Sequence, residues 1–408
     1  MSFSFIPKSI LWLCLTGALI LSTALPSQAA DEDKPFNFTF FGFVKNDAFF
    51  DTRQMVAARQ GQFSLFPSPV IKNDLGTDRN EGPLFHMLAI QSRLSMIVTG
   101  PDAFGASSRG FIEGAFFGNI ESDINGFRLR HAFVELVWDG RHKLLFGQFW
   151  HPMFAETAVP GVVAFNTGAP FKPFSRNPQI RYTFSPGDVS FILAAMSQID
   201  FVSQGGSMPL RRSGIPNLHG QVRYSSGSFG AGAGLDFKSL KPEFFSGEET
   251  LNSLAGTVYG TYSRNSFRAM AQFTYGQNLF DHLMLGGFAL NQPFPGSFNT
   301  YDLINITTRA VWADISTGNT FRAGLFFGFT ENMGADEDFN GGPDMRGGDI
   351  AWVWRVSPRI ELNSGPVRLS LEAEYSEAGY GLPDNRGVVS DTDPTSNLRL
   401  MFSTYFFF

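Results

Sequence analysis

Cysteine is nearly missing: the 408 residues hold one, Cys14. It lies in an apolar run from Ile10 to Leu21 that follows Lys8 and precedes Pro26-Ser27-Gln28-Ala29. That is the pattern of a secretory signal peptide, 1–29, cut after Ala29. Leu13 stands where a lipoprotein signal wants Ala or Gly, so Cys14 does not predict a lipid anchor. The remainder, 30–408, is a secreted chain that cannot hold a disulfide, and one domain is expected since no linker divides it. Long apolar runs are absent too; no later segment approaches the ~18 residues of a membrane helix. Positive charge is not in excess, with 31 Lys and Arg against 37 Asp and Glu, which argues against nucleic acid as a partner. Catalytic signatures are missing: no Gly-x-Ser-x-Gly, no His-Glu-x-x-His and no phosphate loop, so neither an enzyme, a cofactor nor a metal is expected. His131 and Glu135 share one strand face without implying a metal site.

What the chain does have is phenylalanine, 46 residues of it, and 43 glycines. Without apolar runs, these bulky residues must be interleaved with polar ones. From Val367 to Tyr375, the odd positions are Val, Leu, Leu, Ala and Tyr, while the even ones are Arg368, Ser370, Glu372 and Glu374. Such a strand has one apolar and one wet face. The split recurs at Phe267–Tyr275 and Phe321–Phe329. It predicts strands near 36–50, 84–99, 107–117, 126–138, 143–150, 179–185, 188–199, 217–225, 229–238, 251–263, 266–276, 300–315, 319–331, 349–362, 366–376 and 396–408.

Their connections alternate between tight turns, such as Pro186-Gly187 and Arg264-Asn265, and mostly long loops near 51–83, 151–178, 200–216, 239–250, 277–299, 332–348 and 377–395. A soluble sandwich has no reason to put long loops at one end of its hairpins; a transmembrane barrel does. In lipid, only helices or closed sheets satisfy the backbone. The expectation is therefore all-β: a transmembrane antiparallel β-barrel of sixteen strands in the cell outer membrane of a Gram-negative-type cell.

On this reading, the lumen collects Arg93, Arg109, Glu113, Arg223, Arg268, Arg309, Arg322, Arg355 and Arg368, which favours anions. The bland alternative is that these arginines brace the wall against Glu113, Glu372 and neighbours. The 151–178 connection contains apolar Ala158–Phe165 and needs cover, which the barrel interior offers; it is expected to fold inward as a constriction with Lys172, Arg176 and Arg181 presenting positive charge. Asp336–Asp344 has oxygen ligands but no EF-hand spacing and reads as a solvated outer loop.

At Gly126-Phe127-Arg128-Leu129-Arg130-His131-Ala132-Phe133-Val134-Glu135-Leu136, then Leu145-Phe146-Gly147-Gln148-Phe149-Trp150, the sequence resembles the DcaP-type outer-membrane porins. Ser92-Arg93-Leu94, Phe111-Ile112-Glu113-Gly114 and Arg176–Tyr182 extend the likeness over roughly 36–185. The resemblance implies a homotrimeric, sixteen-stranded porin passing small anionic solutes, dicarboxylates among them. One departure is that the N-terminal coiled coil common in those porins has no counterpart in the few residues ahead of the first strand, so the resemblance carries over neither that route to trimers nor a named solute.

The sequence ends in Ser-Thr-Tyr-Phe-Phe-Phe. Counting back in twos places Phe408, Phe406 and Phe402 toward lipid and Arg399 and Ser403 toward the lumen. A final strand with a terminal aromatic resembles the signal read by the outer-membrane assembly machinery. A passive diffusion channel is the leading expectation; a plugged structural barrel or surface adhesin, acting through its outer loops, is the alternative.

Overall fold

A computed structural model describes residues 34–242, 250–291, 302–340 and 345–408; the expected signal peptide and Cys14 lie outside them. The barrel strands are β1 (Asn37–Arg53), β2 in two segments (Glu81–Leu88 and Arg93–Thr99), β3 (Ser107–Ala115), β4 (Arg128–Trp138), β5 (His142–Trp150), β6 (Arg176–Phe184), β7 (Val189–Met196) and β8 (Asn217–Ser226). They continue as β9 (Phe229–Leu240), β10 (Leu251–Arg264), β11 (Phe267–Gln277), β12 (Thr307–Thr317), β13 (Phe321–Gly334), β14 (Ile350–Ser364), β15 (Val367–Tyr380) and β16 (Asp393–Phe407). Each pairs antiparallel with the next, and β1 pairs with both β2 and β16 (Phe43 opposite Phe407, Asp51 opposite Arg399), so the sheet closes on itself. The sixteen-stranded barrel expected from the alternation is what the chain forms.

Outward-facing side chains such as Phe40, Val134, Leu193, Val258 and Leu400 are exposed, while the buried inner face carries polar residues such as Lys45, Asp47, Glu135, Gln221, Thr257 and Arg399. That inversion is what a wall between hydrocarbon and a filled, polar interior requires. The terminal strand follows the count: Leu398, Leu400, Phe402, Phe406 and Phe408 face out, whereas Arg399, Met401 and Ser403 are buried within. Tyr405 and Phe407 turn inward, and the rings of both stand 5.9 Å from that of Phe43 on the first strand.

Two strand readings are corrected. The expected strand 84–99 is interrupted between Leu88 and Arg93, where the buried Lys45 on β1 claims the chain. Gln91 accepts from its ammonium at 2.5 Å and Ser92 Oγ accepts its backbone N–H at 3.0 Å. The expected strand 300–315 begins later, at Thr307, because Asp302–Asn305 instead pairs with Phe288–Asn291 in a hairpin of its own.

The core sits in the lumen. The inward-folded third loop (151–175) buries Phe154, Ala158, Phe165, Phe171 and Phe174, as its apolar composition predicts. The first loop adds a hairpin, Met55–Ala58 with Phe63–Pro67, whose Phe63 meets Phe165 and Phe174 edge-on at 5.5 and 5.3 Å. The wall accommodates them: a Cβ on Gly328 would lie 2.4 Å from the Phe171 ring, so glycine there lets the loop lie flat on β13.

Candidate transport path

Three layers divide the interior. At the tight-turn end, Arg109, Arg223, Arg322 and Arg368 stand within a few residues of a turn, and their side chains keep 40%, 21%, 28% and 29% exposure. Arg93 and Glu113 join them 3.5 Å apart, and exposed Arg268 lies at the same rim. Carboxylates interleave: Glu135 with Arg109 at 2.8 Å, Glu156 with Arg223 at 3.3 Å, Glu361 with Arg322 at 3.2 Å.

The middle layer is the third loop, pinned to the wall by buried polar groups. Glu372 accepts the N–H groups of Val163 and Ala164, Glu374 accepts the Asn166 amide at 2.9 Å, and Lys45 donates to the Val163 carbonyl at 2.8 Å. Arg355, expected to line open water, is instead fully buried as a staple: it donates to Ala169 O in the third loop at 2.9 Å and to Leu65 O in the first at 2.7 Å. Buried ion pairs brace the same wall, Arg359 with Asp314 at 2.7 Å and Arg399 with Asp51 at 2.8 Å. Asp47, Asp51 and Glu361 are further lumen carboxylates with inward strand parity that the sequence analysis does not name, and Asp314 joins them on the face opposite Arg309.

Three constriction residues were expected as free charges, and their positions correct that picture. Lys172, Arg176 and Arg181 are each at most 5% exposed. Lys172 donates to Phe154 O and to Gln272 Oε1 at 3.3 Å, with its ammonium 4.1 Å from the Phe154 ring centre. Arg181 donates to Gln179 at 2.8 Å and faces Glu156 at 3.8 Å. They are covered because loops fold over them, which strand parity does not report. Arg309 is a second correction: it shares the outward face with Val311 and Ile315 and pairs with Glu331 at 2.5 Å, half exposed. On this strand the even positions Ala310, Trp312 and Asp314 are the buried ones.

Above the third loop lies a cavity of about 350 Å³ whose walls include six phenylalanines and whose charges are Arg59, Arg128, Arg176 and Arg346 against Asp200 and Asp281. Arg176 gives one nitrogen to Asp200 at 3.0 Å and stacks on Trp150 at 4.9 Å; its Nε and Nη1, like Arg128 Nε, are buried without a hydrogen-bond partner among the described residues. Burial pushes the Arg346 guanidinium down to about 10, with Asp281 opposing. Burial and then the like charge of Arg128 lower Arg59. Crowded, desolvated guanidinium groups with idle N–H donors favour an incoming anion.

The sheet, its lipid-facing belt and the inward third loop define an outer-membrane β-barrel of the porin fold. The structures it is similar to bear this out. The outer membrane channel DcaP of Acinetobacter baumannii superposes with a TM-score of 0.68 at 17% identity, over 92% of this chain and 98% of that one. The trimer form of OmpT, an outer membrane protein of Vibrio cholerae, gives 0.54 at 11% identity over 92% and 100%. Salmonella typhi OmpF, in a complex with daunomycin, gives 0.54 at 10% identity over 90% and 97%. No family model matches the chain, and no curated protein matches it in sequence. At these identities the likeness is one of fold, and at that level the DcaP resemblance read from the motif order holds.

Proposed function

We propose that the chain is a passive channel of the outer membrane that admits small hydrophilic solutes and prefers anions such as carboxylates. The observation carrying this reading is the pair of arginine sets on either side of the third loop, one partly exposed near the tight turns and one in the outer cavity with unpartnered N–H groups. Fixed positive charge in a low-dielectric passage concentrates anions and repels cations. Outer-membrane lipid surrounds the belt, the assembly machinery reads the strand ending in Phe402, Phe406 and Phe408, and the chain works as a homotrimer, a form that one fold neighbour is described as adopting. No cofactor takes part. Liposome swelling tests this: uptake of small sugars and faster uptake of small carboxylates are expected, and equal impermeability to both contradicts it.

One observation favours a second reading, a plugged barrel acting through its outer loops. Phe63, Phe165, Phe171 and Phe174 of the first and third loops form one cluster with Trp312 and Phe326 of the opposite wall, at the middle of the lumen. Silence in swelling assays, with conduction restored by loosening that cluster, selects this reading.

A further inference from the structure

Three of the six histidines meet in one buried place, where the third and sixth loops join the wall. His151 opens the third loop, His219 and Asp236 face each other across β8 and β9, and His282 closes a turn of the sixth loop. The loops are joined there, because the Phe174 N–H donates to His282 O at 3.0 Å. Asp236 Oδ1 stands 3.2 Å from His151 Nε2 and 3.2 Å from His219 Nδ1, and one ligand atom from each of the three lies within 4.8 Å of the others. The His282 ring centre is 4.6 Å from that of His151.

We propose that His151, His219 and Asp236, with His282 completing the set, bind a divalent transition-metal ion of the zinc class. Zinc bonds of ~2.0–2.1 Å in a tetrahedron place neighbouring donors about 3.3 Å apart, and two donor pairs already stand at nearly that spacing. Charge points the same way. Lys238 is matched by Asp281 at 2.5 Å, and among the described residues no lysine or arginine pairs with the buried Asp236 carboxylate, whose neighbours are His151, His219 and Asn217. An uncompensated buried carboxylate is costly, and a bound cation removes that cost. The second requirement is a ligand without other employment. His282 is fully buried and neither ring nitrogen has a hydrogen-bond partner among the described residues. Orientation from outside the ligand set is supplied by Asn217, which donates to Asp236 Oδ2 at 2.9 Å and leaves Oδ1 for the ion. Three imidazoles and one carboxylate suit zinc, nickel or copper and not calcium or magnesium. The ion would require two adjustments at His151: Nε2 ligation puts the proton on Nδ1, so the Met153 amide, which now donates to it at 3.2 Å, must let go, and Nε2 gives up its contact with Asn217 Oδ1 at 3.2 Å. Bound there, the ion ties the third and sixth loops to the wall. Sequence spacing carried no sign of this, since the four residues come from four separate elements.

The test uses the untagged, folded chain in detergent after chelator treatment. Calorimetric titration with Zn²⁺ is expected to show one equivalent per chain, and Co²⁺ loading to give the intense visible bands of a tetrahedral site. Asp236→Asn and His282→Ala are each expected to weaken Zn²⁺ binding by at least the roughly 10–100-fold that loss of an outer-shell partner costs, while His142→Ala, at the exposed turn end, leaves it unchanged. The wild-type Co²⁺ spectrum decides the matter even if a variant fails to fold. Absence of stoichiometric binding, a six-coordinate spectrum, or site variants that both bind Zn²⁺ as tightly as the parent overturns the proposal. It stands or falls apart from conduction, which these readouts do not measure.

Discussion

Glu372 Oε2 accepts the Val163 N–H at 2.7 Å, and its other oxygen accepts that of Ala164 at 3.1 Å. One wall carboxylate thus satisfies two successive backbone donors at the tip of the third loop, in a site where an unmet donor has no water to turn to. Glu372→Gln keeps the shape but only one acceptor oxygen. The loss of a charge-assisted bond, about 1.5–3 kcal/mol, is expected to free the tip. Single-channel recordings should show larger or noisier conductance than the parent; identical traces contradict the tether.

Closure of the barrel is braced by Arg399 and Asp51, which pair across β16 and β1 with bonds of 2.9 and 2.8 Å. Asp51→Asn leaves a buried guanidinium without its counter-charge and is expected to cost about 3–5 kcal/mol. Replacing both partners by apolar residues should cost much less. Urea unfolding of the folded barrel in detergent compares the two; equal losses would mean that packing, and not charge, is what the pair supplies.

Phe63 ties the first-loop hairpin to the third loop through Phe165 and Phe174. Phe63→Ala empties ring-sized space, a change that costs about 3–5 kcal/mol in a packed core. The expected result is higher conductance with the fold intact by heat-modifiability on gels. No change in conductance would remove the hairpin from the account of the path.

Outside the lumen the expectation reverses. Arg309 and Glu331 pair on the outward face, with side chains 50% and 24% exposed. Glu331→Gln should shift stability by less than about 1 kcal/mol and leave ion selectivity as it was. An altered selectivity would place this pair inside the path.

Strand parity made the wall legible. Val367–Tyr375 alternates cleanly because its two faces meet different surroundings, and the same rule placed Phe402 and Phe406 toward lipid. It does not fix where a strand starts when tertiary pairing decides that, as at Thr307, and followed through this strand it puts Arg309 on the outward face with Val311 and Ile315. The inward third loop was readable from its apolar run, yet the burial of Lys172, Arg176 and Arg181 was not, because it comes from loop on wall contacts that no local pattern encodes. Likewise the partners of Arg355 lie in two loops distant in sequence.

If fixed arginines along the path favour anions, the reversal potential across a salt gradient in planar bilayers reports that preference. With KCl ten times more concentrated on one side, the expected reversal potential is displaced toward that of chloride, with a smaller displacement for Arg223→Glu. A potential displaced toward that of potassium would contradict it.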